Sequence, residues 1–211
     1  MMKKTGFLFL VLTLCAGAAP AETTLYENNF EKAALDQAPA EFLVLDGAFT
    51  VKESEGNKYL ELPGAPLDNF GLLFGPATNA GTCVSARIQG TAKGRRFPSF
   101  GVGLNGPSGY KLKVSPAKNA LELDKGDDTL ASVPYDWKTG AWTMFRLRVR
   151  AAGEQGWKIE GKAWPQTGSE PKEWMIAVDE KTPPHPGRAS LWGSPYSGTP
   201  IRFDDLLLTA E

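Results

Sequence analysis

The stretch 142-WTMFRLRVRAAGEQGWKIEGKAW-164 alternates with the two-residue period of a half-buried strand in both of its halves. Phe145, Leu147 and Val149 point one way while Met144, Arg146, Arg148 and Arg150 point the other. In the second half Trp157, Ile159 and Ala163 oppose Lys158, Glu160 and Lys162. Ala151 to Gly156, with two glycines among polar residues, is long and loose enough to connect them, so the stretch predicts a long antiparallel hairpin with one apolar and one charged face. One hairpin cannot keep an apolar face from water. That face must cover a second sheet, and the charged one must meet solvent or a polar ligand.

Outward from this hairpin, short apolar runs punctuated by Gly, Pro, Asn and Asp recur at the spacing of an all-β, antiparallel two-sheet sandwich, about fourteen strands in all. Leu25 to Phe30 is the first strand, and Ile201 to Thr209 the last. Glu31 to Ala40 has a short helical flavour that Pro39 interrupts. Phe42 to Leu45 and Ala48 to Lys52 flank Asp46 and Gly47, a tight-turn pair that predicts a second hairpin. In a third, Lys111 and Lys113 on Tyr110 to Ser115 face Glu122 and Asp124 on Ala120 to Asp124. The Pro-rich Thr182 to Gly187 is a loop within the sandwich, and no repeat or domain linker interrupts it, so residues 22–211 form a single domain.

Residues 1–21 stand apart. Lys3 and Lys4 precede the apolar run Gly6 to Leu14 and small residues ending at Ala19, Pro20 and Ala21, the pattern of a secretory signal peptide cleaved after Ala21. The expected location is therefore secreted or periplasmic. The apolar run is too short to span a bilayer, so no membrane insertion is expected. Leu14 before Cys15 stands where a lipoprotein box wants a small side chain. Cleavage takes two lysines and no acid from a balance of 23 basic against 24 acidic residues, leaving acids in excess by three with the cations interleaved among them. That is no footprint of a nucleic-acid partner. Cys83 is then the only cysteine, no internal disulfide is possible, and stability must come from the core, which about 190 residues can supply.

The leading LYENNF, the strand GAWTMFRLRV, and the closing GRASLWG and IRFDDLLL resemble the concanavalin A-like jelly roll, the superfamily of laminin G-like modules, legume-type lectins and family 16 glycosidases. Within it the chain is nearest to the 3-keto-disaccharide hydrolase domain, whose hallmarks are an Asn-Ser-Gly turn and a Gly-Tyr-Glu-x-Gln strand. Here that strand reads Gly109, Tyr110, Lys111, Leu112, Lys113, with lysines for both the acid and the amide, a departure that argues against the hydrolase activity.

Glu122 and Asp124 also resemble the paired carboxylates of the E-x-D-x-x-E strand of family 16 glycosidases and are the candidate catalytic residues, with the match failing at its last position near Asp127. The bland alternative pairs them with Lys111 and Lys113. The only histidine, His185, sits among prolines, a poor place for a triad or a metal. If the first and last strands run together, Glu27 and Asn28 meet Asp204 and Asp205, oxygens that suit a structural calcium ion; otherwise those acids satisfy backbone donors or Arg202. No other cofactor is expected.

Six tryptophans exceed what an ordinary core of this size requires. Sugars stack on aromatic rings and hydrogen-bond to charged groups. The charged face of the central hairpin, with Arg146, Arg148, Lys158, Glu160, Lys162 and Trp164, is therefore the candidate glycan surface, together with Trp192 and Tyr196 near the closing loop. The expected function is a secreted carbohydrate-binding, lectin-like module. The alternatives are a glycoside hydrolase or 3-keto-glycoside-cleaving enzyme of the same fold, and a structural or adhesion module at the cell surface.

Overall fold

The computed structural model describes residues 22–65, 68–79, 81–195 and 198–210; the segment expected to be a signal peptide, residues 1–21, and Tyr196 lie outside them. In chain order the strands are β1 (Thr23–Asn28), β2 (Leu43–Asp46), β3 (Thr50–Ser54), β4 (Asn57–Leu62), β5 (Phe70–Thr78), β6 (Thr82–Gln89), β7 (Ser99–Leu104) and β8 (Tyr110–Ser115). They continue as β9 (Ala120–Lys125), β10 (Asp128–Pro134), β11 (Trp142–Ala151), β12 (Trp157–Pro165), β13 (Ile176–Glu180), β14 (Gly187–Ser194) and β15 (Ile201–Ala210). All pair antiparallel in two stacked sheets, the jelly-roll sandwich that the sequence resembles. The eight-stranded sheet runs β13-β12-β11-β6-β15-β4-β3 with β1 also on β15, and the seven-stranded sheet runs β10-β9-β8-β7-β14-β5-β2.

The central hairpin has the expected register. Phe145 lies opposite Ala163, Leu147 opposite Gly161 and Val149 opposite Ile159, all facing the interior. Gly161 leaves room for a partner from the other sheet, since a Cβ there would lie 2.6 Å from a Leu112 methyl. Leu112 sits with Val114, Leu121, Leu123, Val102 and Leu191 on the inner face of the seven-stranded sheet. Each such side chain contributes roughly 1.5–3 kcal/mol on burial, and their alternation with polar residues fixes which face of each sheet is left for a ligand.

Two expectations are corrected. Asp46 and Gly47 do not close a hairpin: β2 pairs with β5 in the seven-stranded sheet and β3 with β4 in the eight-stranded one, so the turn is a corner between sheets. Gly47, at φ 105°, sits so close to Phe70, Leu62 and Phe49 that a Cβ would come within 3.0–3.1 Å of each. Glu31 to Ala40 forms turns, because Phe30 and Asp36 take left-handed φ values of 61° and 62° and the backbone bonds outward to β3, Asp36 N to Val51 O and Val51 N to Gln37 O.

Candidate functional site

The candidate binding residues that the structure describes fall on opposite faces of the molecule. Arg146, Arg148, Lys158, Glu160, Lys162 and Trp164 share the outer side of β11 and β12, as the alternation requires. There Glu160, only 5% exposed, accepts from Arg148 at 2.6 Å and from Arg150 at 3.0 Å. Arg146 reaches Glu22 at 2.5 Å and Glu170 at 3.3 Å, and its Nε lies 3.2 Å from the Cys83 sulfur. Lys162 bonds Glu170 at 2.8 Å and the Pro171 carbonyl. Trp174 covers this network, with the Arg148 guanidinium and the Lys162 ammonium each 4.6 Å from its ring centre. Burial would raise the carboxyls of Glu160 and Glu170, but the arginines and lysine bonded to them outweigh it and hold both below the ordinary value. Lys158, at the rim, is 3.9 Å from Asp179.

Trp192 faces the other way, into a groove of about 1000 Å³ on the outer side of β7, β8, β9 and β14. Its floor is made by glycine. Gly101 and Gly103 are, with Ser99, the outward positions of β7, and Gly71 lies opposite Trp192 on β5. The indole rests over this floor: a Cβ on Gly71 would lie 2.7 Å from the ring, and one on Gly103 would lie 3.3 Å from its Nε1. That nitrogen donates to the Ser190 hydroxyl at 2.8 Å, which fixes the ring in plane. The β6–β7 loop forms one wall, with Arg95, Arg96 and the 36% exposed Phe97; the short turn at Pro116–Lys118 forms another.

The two weak catalytic candidates line this groove, and Asp127 does too. Lys113 bridges the pair, 2.5 Å from Asp124 and 3.4 Å from Glu122. Glu122, 3% exposed, also accepts from Lys118 at 2.7 Å and Ser115 at 2.6 Å, and Asp124 from Thr129 at 2.8 Å. Burial would raise the Glu122 carboxyl, yet Lys118, Ser115 and Lys113 outweigh it and hold it below its ordinary value. Lys113 is raised, the carboxylates overcoming its own desolvation. Lys111, two residues back on the same face, behaves oppositely. Its ammonium lies 3.9 Å from the centre of the Trp192 ring with no carboxylate at ion-pair distance among the described residues, and burial pushes its pKa down against the weaker pull of Asp127 and Asp124.

At the ends of the chain β1 does pair with β15, setting Asn28 opposite Leu206 and Glu27 opposite Leu207. The oxygens of Asn28, Asp204 and Asp205 are nevertheless turned to other partners, and Glu27 is exposed. Asp204 accepts from Arg87 at 2.6 Å and Asn57 at 2.9 Å, Asp205 lies 3.0 Å from Arg87, and the Asn28 side-chain oxygen takes the Phe30 amide. Burial pushes the Asp204 carboxyl up despite Asn57 and Arg87. No group of three or more His, Cys, Asp or Glu side chains suited to a metal occurs among the described residues, and these four do not fit a calcium shell. Arg202 pairs with Glu61 rather than with either aspartate. Cys83 is buried beneath Arg146, and His185 is exposed in its proline-rich loop.

Arg95, Arg96, Phe97 and the pairing of Lys111 with Trp192 escaped sequence reasoning. One signal was present: glycine at the alternate positions 101 and 103 and at 71, which on the two strands flanking β14 leaves the sheet face open for a flat ring.

No protein-family model matches the chain, and no curated protein sequence matches it either. Solved structures do resemble it. The carbohydrate recognition domain of Emp47p superposes with a TM-score of 0.62 at 9% identity, over 92% of this chain and 99% of that one. The carbohydrate-binding module CBM66 from Bacillus subtilis gives 0.57 at 9% identity, over 81% and 96%. The exoplasmic/lumenal domain of VIP36, in a form bound to Ca2+ and Man3GlcNAc, gives 0.56 at 8% identity, over 81% and 83%. At such identities the likeness establishes the fold alone: a two-sheet antiparallel jelly-roll sandwich of the concanavalin A-like kind.

Proposed function

We propose that this chain is an exported carbohydrate-binding β-sandwich whose glycan seat is the groove on the seven-stranded sheet, with Trp192 as its aromatic platform. The observation that carries the reading is the indole held flat over Gly71 and Gly103 beside charged and hydroxyl side chains, in a groove of about 1000 Å³. The similar structures include proteins whose names state carbohydrate recognition, which supports the same reading. Export rests on the signal-peptide pattern before Ala21.

Binding is favoured over hydrolysis at Glu122 and Asp124. A glycosidase acid needs a carboxyl whose pKa is raised, and Glu122 is held down by three donors while Lys113 ties it to its neighbour. A glycan array combined with a hydrolysis screen separates the readings: binding without turnover is expected, turnover would favour the enzyme, and neither would favour a structural module. On a ligand so found, Trp192→Ala is expected to weaken binding at least tenfold, about 1.4 kcal/mol, and Trp164→Ala to leave it unchanged. The reverse ranking would move the seat to the face of the central hairpin.

A further inference from the structure

We infer that the groove selects acidic glycans, chains in which a sugar residue carries a carboxylate or a sulfate, and that Lys111 is the residue that reads the charge. The inference rests on the glycan-binding reading of the groove and adds the substrate class to it.

Charge accounting within the groove decides the sign. Glu122 and Asp124 have their oxygens committed to Lys113, Lys118, Ser115 and Thr129, so these acids and the two lysines largely cancel. What remains facing the cavity among the described residues is Lys111, Arg95 and Arg96 against Asp127. Neither arginine side chain has a carboxylate within ion-pair distance among the described residues, and Lys111 rests on the indole. A protein with a slight overall excess of acid has thus gathered cations without a carboxylate partner at this groove.

Lys111 is placed to couple charge to stacking. It extends from β8 across the glycine at 103 to the ring of Trp192. An ammonium held against a ring and partly desolvated gives up little hydration when an anion arrives, so an anionic group on a sugar laid along the indole gains an ion pair at small cost. A neutral sugar gains nothing there and must displace the ammonium from the ring. The fork of Arg95 or Arg96 then offers a second, bidentate contact to a carboxylate or sulfate further along the chain.

The test is a binding titration of the full secreted chain against three probes of matched length: oligogalacturonate, its methyl ester, in which the same sugars carry no charge, and a sulfated galacto-oligosaccharide. At least one charged probe is expected to bind ten times or more tightly than the methyl ester, with affinity falling between 50 and 300 mM salt. Lys111→Gln is expected to remove most of that preference and part of the salt dependence, and to leave binding of the methyl ester equal or stronger. Arg96→Gln, on an exposed loop where folding is not at stake, is expected to lower affinity for the charged probe severalfold. Equal binding of charged and esterified probes, or a preference that survives both substitutions, would overturn the charge selection while leaving the groove as a glycan seat. Absence of binding to all three probes, or charged-probe binding insensitive to Trp192→Ala, would overturn both.

Discussion

The outer faces of the two sheets start from the same sequence device, lysines and arginines set against carboxylates across a hairpin, and end as different surfaces. On the eight-stranded sheet Glu160 is shared by Arg148 and Arg150, and Glu170 by Arg146 and Lys162, with Trp174 laid over the cations. On the seven-stranded sheet Lys113 takes both acids of β9, and Lys111, which lies opposite Asp124 in the register, turns to Trp192 instead. The neighbours make the difference. Beside β8 runs β7, whose outward residues include Gly101 and Gly103 and leave a floor; beyond β12 the 166–175 segment folds back and fills the space with Glu170 and Trp174. Charge alternation alone therefore marks a solvent-side face. Small residues on the adjoining strand mark which such face can hold a ligand.

The largest effect tests the inner side of that contrast. Leu147→Ala, beneath the saturated face, and Leu112→Ala, beneath the groove, should each cost about 2–5 kcal/mol in a urea titration, because each is fully buried at the sheet interface. Arg148→Ala should cost a fraction of that, since Arg150 still holds Glu160. An Arg148 variant less stable than the Leu147 variant would mean that the hairpin register is slipped by one residue, which exchanges its faces.

Acid should then dissect the outer sides. Glu122, Glu160 and Glu170 all have folded pKa values below the ordinary one, so their stabilisation is complete above the unfolded value near pH 4.3 and is lost as the pH falls through the folded values. Asp204, raised by burial, has the opposite sign: its ionised form costs stability above the folded value, and acid relieves that cost. The balance of three against one predicts acid destabilisation below about pH 4.3. Glu160→Gln should lower stability at neutral pH by about 1–3 kcal/mol and flatten the acid limb. Glu122→Gln should cost less, about 1 kcal/mol, because Asp124 still holds Lys113. A flat stability profile between pH 5 and 3 in the unmodified chain would contradict the pairing on both faces.

What was legible in the sequence is what the period of two dictates. The register of β11 on β12, the inward Phe145, Leu147 and Val149, and the facing of Lys113 to Glu122 all follow from alternation. The Asp46–Gly47 corner did not, since turn chemistry specifies a local reversal and not which sheet receives the next strand; the packing of Phe49 and Phe70 around Gly47 decides that. Lys111 and Lys113 are equivalent in any one-dimensional pattern. Only the third dimension, in which Trp192 lies two strands from Lys111 across a glycine, tells them apart. Arg95, Arg96 and Phe97 sit in a loop without periodicity, so nothing in the sequence pointed them at the groove.

The smallest expected effect is the sharpest test of which face is functional. Lys158 is the rim cation of the saturated face, 3.9 Å from an aspartate that is itself mostly exposed. An exposed pair at that separation contributes less than about 0.5 kcal/mol, because water screens it and two mobile side chains lose entropy in forming it. Lys158→Ala should therefore be silent in stability and leave the affinity for any bound glycan within about twofold of the original, while Lys111→Gln, also one cation removed from an outward sheet face, should be silent in neither charge preference nor salt dependence. Both substitutions remove one positive charge, so the small long-range part of the attraction, screened by salt, is common to the two, and any loss in Lys111→Gln beyond that of Lys158→Ala isolates the local contact in the groove. Loss of glycan affinity in Lys158→Ala equal to that in Lys111→Gln would show that net charge alone steers the ligand and would erase the distinction between the two faces.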